Sequence, residues 1–293
     1  MVDALRARRL ARSDALLFGA LKNLLGGVTT VVHHDAWESD FTHTFPVRVA
    51  RVRTAHSLRF EPDLAAVVAG TLETAQAPLC LHVAEGTTRA MADEVRTLDA
   101  MHLLDARLIA VHAVGVDEDG ATRLARAGAA CVWCPSSNRF LFGHTIPPGL
   151  ARAKLDILLG TDSLLTGDGT LLDELRLARR LGILDDGRLR DAVGATAARR
   201  LSLPAPSLAP GAPADLVVLQ RPLFEARPAD VALVLVHGQV QLADEAFADL
   251  FARQGRAAER LEVGGVMKVV ARPLGTVARR VADLTPECAR VFS

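Results

Sequence analysis

Short apolar runs that alternate with helical stretches constrain this chain more than any other feature. Leu79 to Ala84, Leu108 to His112, Ala129 to Cys134 and Leu155 to Leu159 each have the length and character of a buried strand. Helical patterns fill the intervals at Thr87 to Met101 and Asp117 to Ala127, and two more follow at about 171–181 and 188–201. Strands separated by crossover helices imply a parallel sheet with helices packed on it. Upstream, Val28 to His34 is β-branched and reads as another buried strand, Pro46 to Val52 as a second, and Asp63 to Gln76 as a helix. Residues 4–25 carry leucines at helical spacing, and Gly26-Gly27 ends that helix. The expected fold class is α/β, a TIM-type (β/α)8 barrel left incomplete, with six clear barrel strands.

The character changes after residue 203. Pro204, Pro206, Pro210, Gly211 and Pro213 mark a boundary. Asp215 to Leu219 and Val231 to Val236 then read as strands, turning at His237-Gly238. Two units are expected, a barrel over residues 1–203 and a small β-rich unit with a tail over 204–293; the tail from about 255 shows no clear pattern.

The strand ends carry the candidate chemistry. His82 ends one apolar run and Glu85 follows three residues later. Alternation would send these two side chains to opposite faces. They converge only if the strand stops near Ala84 and the chain turns, which Gly86 makes cheap. His112 and Asp162 end two other runs, and barrels of this kind keep their chemistry at the C-terminal ends of strands. Imidazole and carboxylate donors suit zinc or iron(II). A metal would lower the pKa of its water to roughly 7, and a nearby glutamate would shuttle the proton. Ser163 is placed to orient the Asp162 carboxylate. The plain alternative is a core histidine beside a solvated glutamate.

Composition removes several classes. Formal net charge is 0, from 34 basic and 34 acidic side chains, and Tyr is absent, so nothing points to nucleic acid. No apolar run reaches membrane-spanning length, and the four cysteines make no disulfide framework, so a reducing cytoplasm is expected. Cys131 and Cys134 have C-x-x-C spacing but read better as the end of a buried strand than as a redox or zinc pair.

His82-Val83-Ala84-Glu85, the strand-end His112, Cys134-Pro135-Ser136-Ser137-Asn138 and Gly160-Thr161-Asp162-Ser163 resemble the amidohydrolase superfamily, in its cytosine deaminase, adenosylhomocysteine deaminase and chlorohydrolase branch. Gly27 to Val31 resembles the second barrel strand of that branch, and Pro210 to Leu219 its return to a small β-sandwich. The resemblance implies a metal-dependent hydrolase of carbon–nitrogen bonds other than peptide bonds, for example a deaminase of a small heterocycle. It implies His82, Asp162 and His112 as metal ligands, with zinc or iron as the cofactor. It implies Glu85 as proton shuttle, His112 as the group that either polarises the substrate or binds the metal, and Asp162 as the base. Ser136 and Asn138 would shape the pocket, and His56 is a further candidate substrate contact.

The chain departs from the family in one respect: no His-x-His precedes Val28. It is therefore read as lacking the part that carries this pair, and weak metal binding is expected unless His34, His56 or His112 replaces it. The rival reading is a truncated, non-catalytic relative kept for binding or assembly. An unpaired edge near Val28 to Val32 favours a homo-oligomer. The expected partners are a small-molecule substrate and a second copy of the chain, with no nucleic acid and no membrane.

Overall fold

The computed structural model describes residues 10–71, 74, 76–167, 169–284, 288, 291 and 292. The chain enters through helix α1 (Arg12–Leu25), whose Leu21, Leu24 and Leu25 are fully buried. Residues 4–9 of the expected first helix lie outside the described residues. Gly26 stops α1, and a side chain there would meet Thr170 Cβ at 3.0 Å. Strand β1 (Thr30–Val31) pairs in parallel with β2 (Arg48–Val49), and β3 (Arg53–Ala55) resumes the same path after a short break. Helix α2 (Leu64–Ala69) is shorter than the sequence pattern implies because Gly70 caps it; residues 72, 73 and 75 of that expected helix lie outside the described residues.

The central alternation is as expected. Strand β4 (Leu79–Val83), helix α3 (Arg89–Ala100), strand β5 (Leu108–His112), helix α4 (Glu118–Ala127), strand β6 (Ala130–Trp133), short helices α5 (Pro135–Phe142) and α6 (Pro148–Arg152) and strand β7 (Asp156–Leu159) follow in order. They form a parallel sheet ordered β3-β4-β5-β6-β7. Helices α7 (Leu171–Leu181), α8 (Asp186–Ala192) and α9 (Ala195–Arg200) complete this half. The single helix expected over 188–201 is two, broken at Gly194.

Alternation sorts the strand side chains into two layers. Cys80, Ile109, Ala130 and Leu158, one from each of β4 to β7, form an inner cluster that Ala197 and Leu201 cover. Leu81, Ala110, Cys131 and Ile157 point the other way, into the larger core shared with the helices. Cys131 and Cys134 are buried free thiols, with Cys131 pushed up to about 12 by burial, which makes it unreactive.

An antiparallel sheet occupies the rest, ordered β11-β12-β10-β9-β8. Its strands are β8 (Leu216–Leu219), β9 (Val231–Val236), β10 (Gln239–Asp244), β11 (Ala258–Val263) and β12 (Val266–Ala271); helix α10 (Asp249–Arg253) interrupts it and α11 (Leu274–Leu284) follows it. The tail is thus a hairpin and a helix, turning on Gly264-Gly265 with φ of 54° and 78°. Lys268 on β12 is fully buried, pairs with Asp244, and donates to the carbonyls of Ala229 at 2.6 Å and Val231 at 3.0 Å. Arg48 on β2 donates to Asp215 at 2.7 Å, just before β8, and Arg280 on α11 pairs with Asp14 on α1. These contacts tie the antiparallel sheet to the first half of the chain. Among the described residues no helix is long and apolar enough to cross a membrane.

Candidate active site

A cavity of about 1140 Å³ lies inside the curved parallel sheet. Its walls include Cys80 and His82 of β4, Ile109 and Val111 of β5, and Val132 and Cys134 at β6, the alternate positions of three neighbouring strands. His82 is therefore the last inward-facing residue of its strand. His112 follows the inward-facing Val111, so strict alternation would turn it away. The chain escapes alternation because the strands end in left-handed backbone. Ala84 has φ 51°, His112 71°, Ala113 51° and Asp162 52°. For non-glycine residues such dihedrals carry strain and cluster where function demands a particular side-chain direction.

The turn that joins His82 to Glu85 thus falls on Ala84. Its carbonyl accepts N–H groups from Gly86 and Gly115, both at 2.9 Å, and its own N–H donates to Glu94 at 2.7 Å. Gly86 matters for room: a side chain there would meet Met91 Cγ at 2.9 Å. Gly115 is tighter still, because a Cβ would lie 2.4 Å from the Gly86 carbonyl. The result is convergence. Donor atoms of His82, Glu85 and His112 all lie within 4.8 Å of one another, and His112 Nε2 is 3.7 Å from Glu85 Oε1.

Two more histidines stand beside them. The His34 ring centroid is 4.2 Å from that of His82, and His56 is 5.5 Å from His82; the His82 and His112 rings stack at 5.3 Å. Hydrogen bonds orient the rings. His82 Nδ1 donates to the His56 carbonyl at 2.9 Å, which leaves Nε2 with its lone pair. His112 Nδ1 donates to Asn138 Oδ1 at 2.9 Å, with the same effect, and Asn138 Nδ2 donates back to the His112 carbonyl at 3.3 Å. His34 Nε2 donates to the Ala55 carbonyl at 3.0 Å, leaving Nδ1 to accept. Burial, reinforced by charge on neighbouring histidines, pushes the His34 imidazole down to about 4 and lowers that of His82 as well. Neutral imidazoles held by a second hydrogen bond are the state in which histidine binds metal.

Asp162 stands just beyond the end of β7, two strands from His112 and outside the His82–Glu85–His112 cluster. Burial would raise its carboxyl, but hydrogen bonds, from Ser137 first and then from Thr166 and the Ser163 backbone, hold it below the usual range. Ser137 and Thr166 both donate to Oδ2, the latter at 2.8 Å. Ser163, expected to orient this carboxylate, hydrogen-bonds it through the backbone N–H, while its hydroxyl accepts the Leu165 N–H at 3.1 Å. Ser136 and Asn138 are buried at 5 % and 0 % exposure, Ser136 against Glu174 and Asn138 against His112. The residues not singled out as site residues beforehand are Ser137, Thr166, Glu94 and Glu174. Ser137 had a signal, lying inside the Pro135–Asn138 motif; the glutamates, mid-helix, had none.

The neutral state of His34 has a cost at low pH. The unfolded chain's imidazole titrates near 6.5, the folded one near 4, so between those values only the unfolded chain takes up the proton. Stability is expected to fall as pH drops from 6.5 towards 4, by up to ~3 kcal/mol from this group. Urea midpoints across that range measure it; His34→Gln with an unchanged slope would show that another group is responsible.

The fold and site now stand beside known proteins. The amidohydrolase family model matches residues 43–241, and the chain belongs to that family. Aminodeoxyfutalosine deaminase of Deinococcus radiodurans is 43% identical over 89 residues, 30% of this chain and 21% of that protein. The 5-methylthioadenosine/S-adenosylhomocysteine deaminase of Pyrococcus furiosus is 28% identical over 206 residues, 58% of this chain and 48% of that protein. The chain thus spans between a fifth and a half of the length of these relatives. An adenosine deaminase from Xanthomonas campestris with bound zinc superposes with a TM-score of 0.60 at 21% identity, over 86% of this chain and 76% of that one. An atrazine chlorohydrolase variant from Arthrobacter aurescens, complexed with zinc and atraton, gives 0.58 at 19% identity, over 78% and 72%. The likeness to both solved structures is one of fold.

Proposed function

We propose that this chain is a metal-dependent hydrolase of carbon–nitrogen bonds and deaminates a small heterocycle of the adenine-nucleoside class. The observation that carries the reading is the convergence of His82, Glu85 and His112 with both imidazoles presenting Nε2. The names of the relatives support the substrate class.

The donor set fits a divalent zinc or iron ion. His82 and His112 would hold it, with Asp162 beyond the end of β7, two strands from His112, and His34 adds an imidazole beside His82. When bound, such an ion lowers the pKa of a water to roughly 7. Glu85 moves a proton from the attacking water to the leaving nitrogen, which its place beside His112 Nε2 allows. Asn138 fixes the His112 ring, and the ionised Asp162 takes up the first proton. His56, Ser136 and Asn138 shape the pocket. The apolar cavity walls exclude water around the ring. Residues 1–203 form the hydrolase unit and 204–293 the β-rich unit. Among the described residues β1 pairs only with β2, and its other edge, within Val28 to Val32, favours self-association.

The test is zinc titration of the purified chain together with ammonia release from adenosine and 5-methylthioadenosine. One zinc per chain and ammonia from at least one nucleoside are expected. A chain that binds no zinc, releases no ammonia and self-associates is the non-catalytic relative instead.

A further inference from the structure

The structure assigns to Glu174, on α7, the role of a positioning residue that sets the geometry of two site residues at once. This rests on the metal-dependent reading above. The first turn of α5 carries three consecutive polar side chains, Ser136, Ser137 and Asn138, all buried. Ser137 donates to the Asp162 carboxylate, and Asn138 clamps His112 by its side chain and its carbonyl. One backbone turn thus fixes groups from two different strand ends.

Something must hold that turn. Glu174 is 1 % exposed; its Oε2 accepts the Ser136 N–H at 3.0 Å and its Oε1 accepts the Ser136 hydroxyl. Two acceptors on neighbouring donors fix both position and rotation, as a single contact would not. Packing alone does not call for a carboxylate here, since Leu172, Leu175 and Ala178 already bury the same helix. A buried carboxylate costs free energy unless it is well hydrogen-bonded. The loop beyond Asp162 leans on the same turn: a Cβ on Gly167 would meet the Thr161 carbonyl at 2.5 Å and Ser136 Oγ at 3.5 Å. A shift of Ser136 therefore moves Ser137 and Asn138 directly and crowds the Asp162 loop.

The experiment is zinc calorimetry and the visible spectrum of the cobalt(II) form for the wild-type chain, Glu174→Ala, Glu174→Gln and Ser136→Ala. Glu174→Ala is expected to bind zinc about 10–100-fold more weakly, with an altered cobalt spectrum. Glu174→Gln keeps an acceptor for the Ser136 N–H and should recover most of the affinity. Zinc affinity and cobalt spectrum unchanged in Glu174→Ala, whatever its melting temperature, would overturn the proposal. If Glu174→Ala does not fold, Ser136→Ala decides: a loss of zinc affinity supports the role, and wild-type affinity overturns it. A wild-type chain that takes up no zinc defeats the metal-dependent reading itself, and the wild-type arm alone reveals that.

Discussion

Glu85→Gln should cut turnover by roughly 10²-fold or more while zinc content stays at the wild-type level. The side chain is 31 % exposed and stands 3.7 Å from His112 Nε2 on a turn braced from three sides. Gly86 and Gly115 hold the Ala84 carbonyl, and Glu94 holds the Ala84 N–H. Glutamine preserves the shape and the turn, so only proton transfer is removed. His82→Ala should behave differently and lose zinc and turnover together, because its ring is already oriented with Nε2 presented. Metal analysis beside a turnover assay separates the two cases. Near-normal turnover in Glu85→Gln would remove Glu85 from proton transfer; loss of zinc would make it a ligand.

The second large effect lies far from the site. Asp244→Ala should destabilise the chain by about 3–5 kcal/mol. Lys268 is fully buried between strands, and removal of Asp244 leaves its ammonium with carbonyl partners and no counter-charge. Gln220 also donates to Asp244, so the same change removes one further hydrogen bond. Replacing the pair together by Leu and Met should cost much less, since an apolar pair of similar volume fits a buried site. Urea unfolding of the single and double variants measures both. A single variant within ~1 kcal/mol of wild type would mean that water reaches Lys268.

The sequence-level reading was strongest where local pattern and tertiary role coincide. The strands ending at His82, His112 and Asp162 are short apolar runs, and the helix at 171–181 is amphipathic with a capping Thr170. Where a residue's role comes from another element, nothing local marks it. Glu174 looks like one more helix carboxylate, and only packing brings it to Ser136. His34, at the end of a run with adjacent histidines, gave no means of choosing between the two; the structure puts His34 against His82 and His33 against Phe41. The 258–271 hairpin is obscure in the sequence although Gly264-Gly265 between short runs is a turn signal, because charged residues on its exposed face hide the alternation.

The left-handed backbone at Ala84, His112, Ala113 and Asp162 sets two selection pressures against each other. Glycine at Ala84 or Ala113 would relieve the local strain but also enlarge the freedom of the unfolded chain and of the turn itself. A laboratory lineage chosen for heat tolerance alone would gain nothing by keeping these dihedrals, and one chosen for turnover would. Lineages evolved under the two regimes should therefore diverge first at the strand ends, with the helices that surround them largely unchanged.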